Sequence, residues 1–257
     1  MSCTEAIVLA DNEFEESSRS AEEARQIVLT TTDCRQIQRY LDPPANTPYS
    51  LEYAYHLLGN VAGKNIVDLG CGSGENLVPL AERKANVIGI DISQELVSVA
   101  RRRICISGSK ATCRVGSAYH TDLPDESVDV IFCDAIIHHL DIPSVRDEMW
   151  RILKKGGFVV LKETIRFSQT YATLRRMFPA REYCSEHEHP LNQKELKRLC
   201  ERFTQEGIRH FRLPLVPLFQ QLFRLTSNSI HLLSDRVIRA FPLSQYFATV
   251  VVMRLRK

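Results

Sequence analysis

Acidic side chains, closely spaced glycines and two pairs of histidines are the residues whose types and spacing point to chemistry. Gly70, Gly72 and Gly74 alternate with small or polar residues directly after a short apolar run, Ile66-Val67-Asp68-Leu69. A helix-like stretch, Asn76 to Arg83, follows them. Glycine allows a tight strand-to-helix turn and lets backbone N–H groups approach a ligand with no Cβ in the way. Asp68 stands on the first strand. A second apolar strand, Asn86 to Ile90, ends in Asp91, where an acid is placed to accept from a ribose diol. Asp134 closes a third apolar run, and His138 and His139 come shortly after it. His187 and His189 lie in the acidic stretch Glu186-His187-Glu188-His189-Pro190. A histidine flanked by carboxylates has its charged form favoured and suits base chemistry near neutrality.

Two classes of ribose-containing cofactor compete for this β-α-β geometry. A dinucleotide site calls for G-x-G-x-x-G, with a helix N-terminus aimed at a pyrophosphate. Here the loop is G-x-G-x-G, preceded by Asp68-Leu69, and it holds no Lys or Arg to meet phosphate. A cofactor with an amino-acid end and no phosphate fits better, and S-adenosylmethionine is such a cofactor.

Four stretches in the right order carry a family resemblance. Val67-Asp68-Leu69-Gly70-Cys71-Gly72-Ser73-Gly74 resembles the first motif of class I S-adenosylmethionine-dependent methyltransferases, and Val87-Ile88-Gly89-Ile90-Asp91-Ile92-Ser93 their second. Leu123 to Leu140 resembles the fourth-strand region, and Leu153-Lys154-Lys155-Gly156-Gly157 the turn before strand five. The likeness spans residues 51–163. It implies an α/β fold: a seven-stranded, mostly parallel, doubly wound sheet, Rossmann-like, with the last strand inserted antiparallel between strands five and six. It also implies a cofactor set of Asp68, Gly70, Gly72, Asp91, Ile92, Ala118 and Asp134, with Tyr49 from the preceding loop as a further contact. Ser117 stands where relatives often carry an Asp that accepts from the adenine amino group; Asp122 is a possible replacement for that carboxylate. Methyl transfer from a sulfonium needs in-line placement and exclusion of water more than a strong base. His139 and His189 are the candidate bases, with His138 a weaker one. A metal site from Cys184, His187 and His189 lacks a fourth ligand and the usual spacing, so none is read.

The elements that must position these residues follow from pattern. Leu51, Ala54, Tyr55 and Leu58 share a helical face, which makes Tyr55 a core residue. Ser93 reads as the N-cap of a helix to about Ile106, and Val128 to Cys133 is apolar on both faces, as a central parallel strand is. Asn192 and Glu195 form a capping box for a helix to about Phe203. Gly207 to Leu213 and Tyr246 to Arg254 read as the last two strands. Residues 1–50 are a leader, read as solvated and ending in a packing helix over Ala21–Gln38, and 51–257 the methyltransferase domain. Two insertions interrupt that domain, 164–190 and 214–243. The second is strongly apolar (Leu215, Phe219, Ile230 and Leu233 among others) and reads as a helical lid over an apolar acceptor, with a membrane-touching surface as the alternative.

The whole chain bounds the rest. Its 257 residues suffice for one α/β domain with additions, and a net charge of +2 points to no nucleic-acid partner. Eight cysteines without a C-x-x-C pair match a reducing cytoplasm. No signal peptide and no membrane span are read. The expected activity is methylation of a small, fairly hydrophobic acceptor at O or N. The alternatives are C-methylation of a lipid or quinone-like ring, and a non-catalytic cofactor-binding or scaffold module.

Overall fold

Every strand expected from the apolar runs is present, in a single sheet. The computed structural model describes residues 3–27, 29, 34–166, 190–213 and 227–257. Its strands are β1 (Asn65–Leu69), β2 (Asn86–Asp91), β3 (Thr112–Val115), β4 (Val128–Asp134), β5 (Leu153–Thr164), β6 (Thr204–Phe211) and β7 (Val250–Arg256). They lie in the order β3-β2-β1-β4-β5-β7-β6. The first five pair in parallel, while β7 runs antiparallel to both β5 and β6. β6 starts three residues earlier than its sequence suggests. Tyr246 and Phe247, expected at the start of the last strand, instead end a 3-10 helix over Pro242–Phe247, and β7 begins at Val250.

The helices are α1 (Cys3–Gln26), α2 (Cys34–Leu41), α3 (Ser50–Leu58), α4 (Leu77–Glu82), α5 (Gln94–Ser107), α6 (Ile142–Ile152), α7 (Gln193–Cys200) and α8 (Ser227–Ala240). Ser93 caps α5 by accepting from Leu96 N–H, and the Asn192–Glu195 capping box opens α7, as read from sequence. The expected helix over 21–38 is instead two helices: α1 begins far earlier and ends at Gln26.

Two apolar clusters cover the two faces of the sheet. On β4, Ile131 and Cys133 face one, with Val145, Met149 and Ile152 of α6 and Leu196 and Leu199 of α7. Val130 and Phe132 face the other, with Ala54, Tyr55 and Leu58 of α3 and Leu77 and Leu80 of α4. Burying a side chain of this size contributes about 1.5–3 kcal/mol, so the central strands are the rigid base of the carboxyl-end loops.

The second insertion departs from the expected lid. Residues 214–226, Leu215 and Phe219 among them, lie outside the described residues. α8 docks by its polar side: Ser234 is buried and accepts from Leu213 N–H, and Asp235 pairs with Arg209 of β6 at 2.5 Å. That anchoring leaves Leu232 and Leu233 of α8 45% and 39% exposed and Ile230 half-buried, and no residue from 227 to 247 lines the cavity described next. Among the described residues no helix is long and apolar enough to cross a membrane.

Candidate active site

At the carboxyl ends of β1, β2 and β4 lies a cavity of about 460 Å³, within the usual range for a small-molecule site. The glycine loop forms its floor. Gly70 has φ +72°, and a Cβ there would stand 2.5 Å from Ile136 Cγ1, so glycine is required both for the turn and for contact with the loop after β4. The loop is tied to β2 by Gly70 N–H, which donates to Ile90 O at 2.8 Å.

Asp91 joins the two. One carboxylate oxygen accepts from Gly72 N–H at 2.7 Å, the other from Ser93 N–H at 2.9 Å. The carboxylate lines the cavity with acceptor capacity left for a hydroxyl. Burial pushes its pKa up against those hydrogen bonds, and Glu16 adds to the push. Asp68, beneath the loop, is fully buried, and neither carboxylate oxygen has a partner among the described residues. Burial first, then Asp134 and Asp91, holds its pKa well above the usual carboxylate range. An unpaired buried carboxyl costs stability, which marks it as placed for something other than folding.

Asp134 lines the cavity, pairs with Lys162 and accepts from Asn76 Nδ2 at 3.2 Å. The next residue, Ala135, holds φ +59°, unusual for a residue with a side chain. Glu163 at the end of β5 clamps the loop that follows. Its Oε1 accepts from Ile136 N–H and Ile137 N–H at 2.9 and 2.8 Å, and Oε2 lies 2.8 Å from His138 Nδ1. His138 is thereby committed inward, while the adjacent His139 lines the cavity.

The fourth wall was not expected. α1 lies across the cavity mouth, presenting Glu13, Glu16, Ser20 and Glu23, with Ile27 just beyond its end. Glu13 accepts from Ser117 Oγ, and Glu16 Oε2 lies 3.5 Å from His139 Nδ1. A carboxylate therefore does stand at Ser117, but it comes from α1. Asp122 instead pairs with His120 and Arg114 at the surface. The 3-4-3-4 spacing of 13, 16, 20, 23 and 27 is one helical face. That spacing marks a shared face in the sequence, but not what the face covers.

Of the sequence-derived residues, Gly70, Gly72, Asp91, Ile92, Ala118, Asp134 and His139 come together around the cavity. Tyr49 does not: its ring packs 5.1 Å from that of His231, beneath the Arg39 guanidinium, because α8 takes up the space beside it. His187 and His189 lie outside the described residues. Asn76, Tyr119 and Ile136 line the cavity without having been singled out.

A glycine loop beneath a strand-end acid, at the carboxyl edge of a sheet whose seventh strand is reversed, is the arrangement that the resemblance to class I S-adenosylmethionine-dependent methyltransferases implies. Residues 67–161 match a family model described as "Methyltransferase domain". The ubiquinone biosynthesis O-methyltransferase of Nitrosomonas europaea is 32% identical over 127 residues, covering 48% of this chain and 54% of that one. A demethylmenaquinone methyltransferase of Symbiobacterium thermophilum is 33% identical over 114 residues, 42% and 45% of the two chains. The chain thus spans about half the length of the curated relatives it matches. In fold it is similar to the geranyl diphosphate C-methyltransferase of Streptomyces coelicolor A3(2), with TM-score 0.62, 16% identity and coverage of 95% and 97%.

The lining fits S-adenosylmethionine on its own evidence. Gly70 leaves no room for a Cβ, Asp91 offers an acceptor at the edge of β2, and Asp68 has no hydrogen-bond partner among the described residues under the loop.

Proposed function

We propose that this chain transfers a methyl group from S-adenosylmethionine to a small, largely apolar acceptor, at oxygen. The convergence of Gly70, Gly72, Asp91 and Asp134 with His139 around one cavity carries the reading. Bound there, the cofactor supplies an electrophilic methyl group on a sulfonium, a leaving group that needs no acid. Asp91 accepts from the ribose hydroxyls, and Ile92 and Ala118 pack against the base. Asp68 and Asp134 set the field at the amino-acid end. His139, which lines the cavity beside Glu16, takes the acceptor's proton at an imidazole nitrogen. α1 excludes water. Residues 51–257 are the catalytic domain in this reading, with 3–27 as an added wall, and His189 remains a second candidate base.

An apolar, ring-type acceptor is supported by the relatives named for ubiquinone and menaquinone biosynthesis. The C-methyltransferase among similar folds favours a second reading, transfer to a ring carbon. Calorimetry with S-adenosylmethionine comes first, then transfer of labelled methyl to phenols of increasing alkyl length. Micromolar cofactor binding and transfer that improves with chain length are expected. Cofactor binding without transfer to any phenol, amine or ring carbon would replace the enzyme with a binding module.

A further inference from the structure

The charge around the cavity is lopsided. Glu13, Glu16, Glu23, Glu75, Asp91 and Asp134 line it, and no Lys or Arg does among the described residues. Three of these carboxylates are compensated from outside the cavity. Lys162 pairs with Asp134, Arg103 stands 3.7 Å from Glu75, and Arg19 meets Glu16 at 2.5 Å. Glu13, Glu23 and Asp91 face no cation among the described residues. Ser117 gives Glu13 a neutral hydrogen bond, which fixes its carboxylate at the wall and leaves its charge in place. Two of the three uncompensated charges therefore ride on α1, outside the stretch that matches the family model.

The occupant of such a cavity changes charge during turnover. S-adenosylmethionine carries a sulfonium, an ammonium and one carboxylate, for a net charge of +1. When the methyl leaves, the C–S bonding pair stays on sulfur and the product is net neutral. A wall of uncompensated carboxylates acts on that difference, whereas apolar packing and the ribose contacts treat both molecules alike.

We propose that α1 is the charge-reading wall of the cofactor site: through Glu13, with Glu23 adding a more exposed charge, it holds the sulfonium cofactor in preference to the spent thioether product. This rests on the cofactor assignment above. At about 8 Å and an effective dielectric of about 40, one unit charge acting on another corresponds to roughly a fivefold change in affinity. The wall thereby works against product inhibition without touching the glycine loop.

The test is calorimetry on the full chain with S-adenosylmethionine and S-adenosylhomocysteine. Glu13→Gln keeps an acceptor for Ser117 and removes only the charge. Its affinity for the cofactor is expected to fall about fivefold more than its affinity for the product. Glu13→Gln/Glu23→Gln should compress the cofactor-to-product ratio further, and rising salt should compress it in the wild type. Glu22→Gln, one residue off the cavity face and paired with Arg25, serves as the control and leaves the ratio unchanged. Equal weakening of both ligands would mean that α1 only packs, and an unchanged ratio would mean that its charge is screened; either result overturns the proposal. Failure of the wild type to bind either ligand would instead overturn the cofactor assignment itself.

Discussion

Asp68→Asn should change the way stability depends on pH. Asp68 is fully buried, without a hydrogen-bond partner among the described residues, and its pKa is held well above the ordinary value by burial and then by Asp134 and Asp91. Between the unfolded carboxyl's value, about 3.9, and the raised native value, the folded chain keeps a proton that the unfolded chain releases. Its contribution is therefore present at low pH and is lost as pH rises, at up to about 1.4 kcal/mol per unit. Each pH unit inside that window then lowers the melting temperature by up to about 3–6 °C for a chain of this size. Asparagine has the shape of the neutral acid and does not titrate. Ligand-free wild type and Asp68→Asn, melted at fixed ionic strength in half-unit steps, should diverge in the variant's favour as pH rises. The variant should at the same time show a smaller thermal shift with S-adenosylmethionine. Parallel pH profiles, agreeing within about 0.5 kcal/mol in slope across the range, would refute the argument.

Other substitutions separate binding from architecture. Asp91→Ala should weaken S-adenosylmethionine by about 2 kcal/mol or more in calorimetry, the scale for losing a charged hydrogen-bond partner. Gly70→Ala places a Cβ against Ile136 at a positive φ and should cost about 2 kcal/mol or more in urea unfolding, with Ile136→Ala restoring part of it in a double-mutant cycle. His138→Asn should lower stability by about 1–3 kcal/mol, since Glu163 then loses its buried partner. His139→Asn should lower the rate of methyl transfer about a hundredfold.

The glycine loop and Asp91 were legible because local backbone geometry dictates them. A tight turn with no space for a Cβ leaves few residue types, and a strand end fixes the direction of an acid. α1 was not legible for the opposite reason. A face of Glu13, Glu16, Ser20 and Glu23 reads as solvated, because the polar cavity it borders is built by residues far along the chain. His138 and His139 are adjacent and chemically identical, so only Glu163, 25 positions on, tells them apart. Tyr49 failed as a cavity residue because α8, an insertion with no fixed place in the pattern, fills the space beside its ring. The same insertion reversed the expected burial: Asp235 and Ser234 proved to be the anchors, and Leu232 and Leu233 are exposed.

The reversed seventh strand has a consequence in time. β6 ends at Phe211 and touches the sheet only through β7, which runs from Val250 to Arg256. During synthesis at about 5–20 residues per second, β6 emerges several seconds before its partner. Through that interval β5 presents an open hydrogen-bonding edge, while the strongly apolar 214–243 stretch leaves the ribosome. The last strand to be made is thus the one that seals the sheet. A nascent chain stalled short of it would hold a finished cofactor floor beside an unfinished, adhesive flank, and yield in the cell would depend on what shelters that flank.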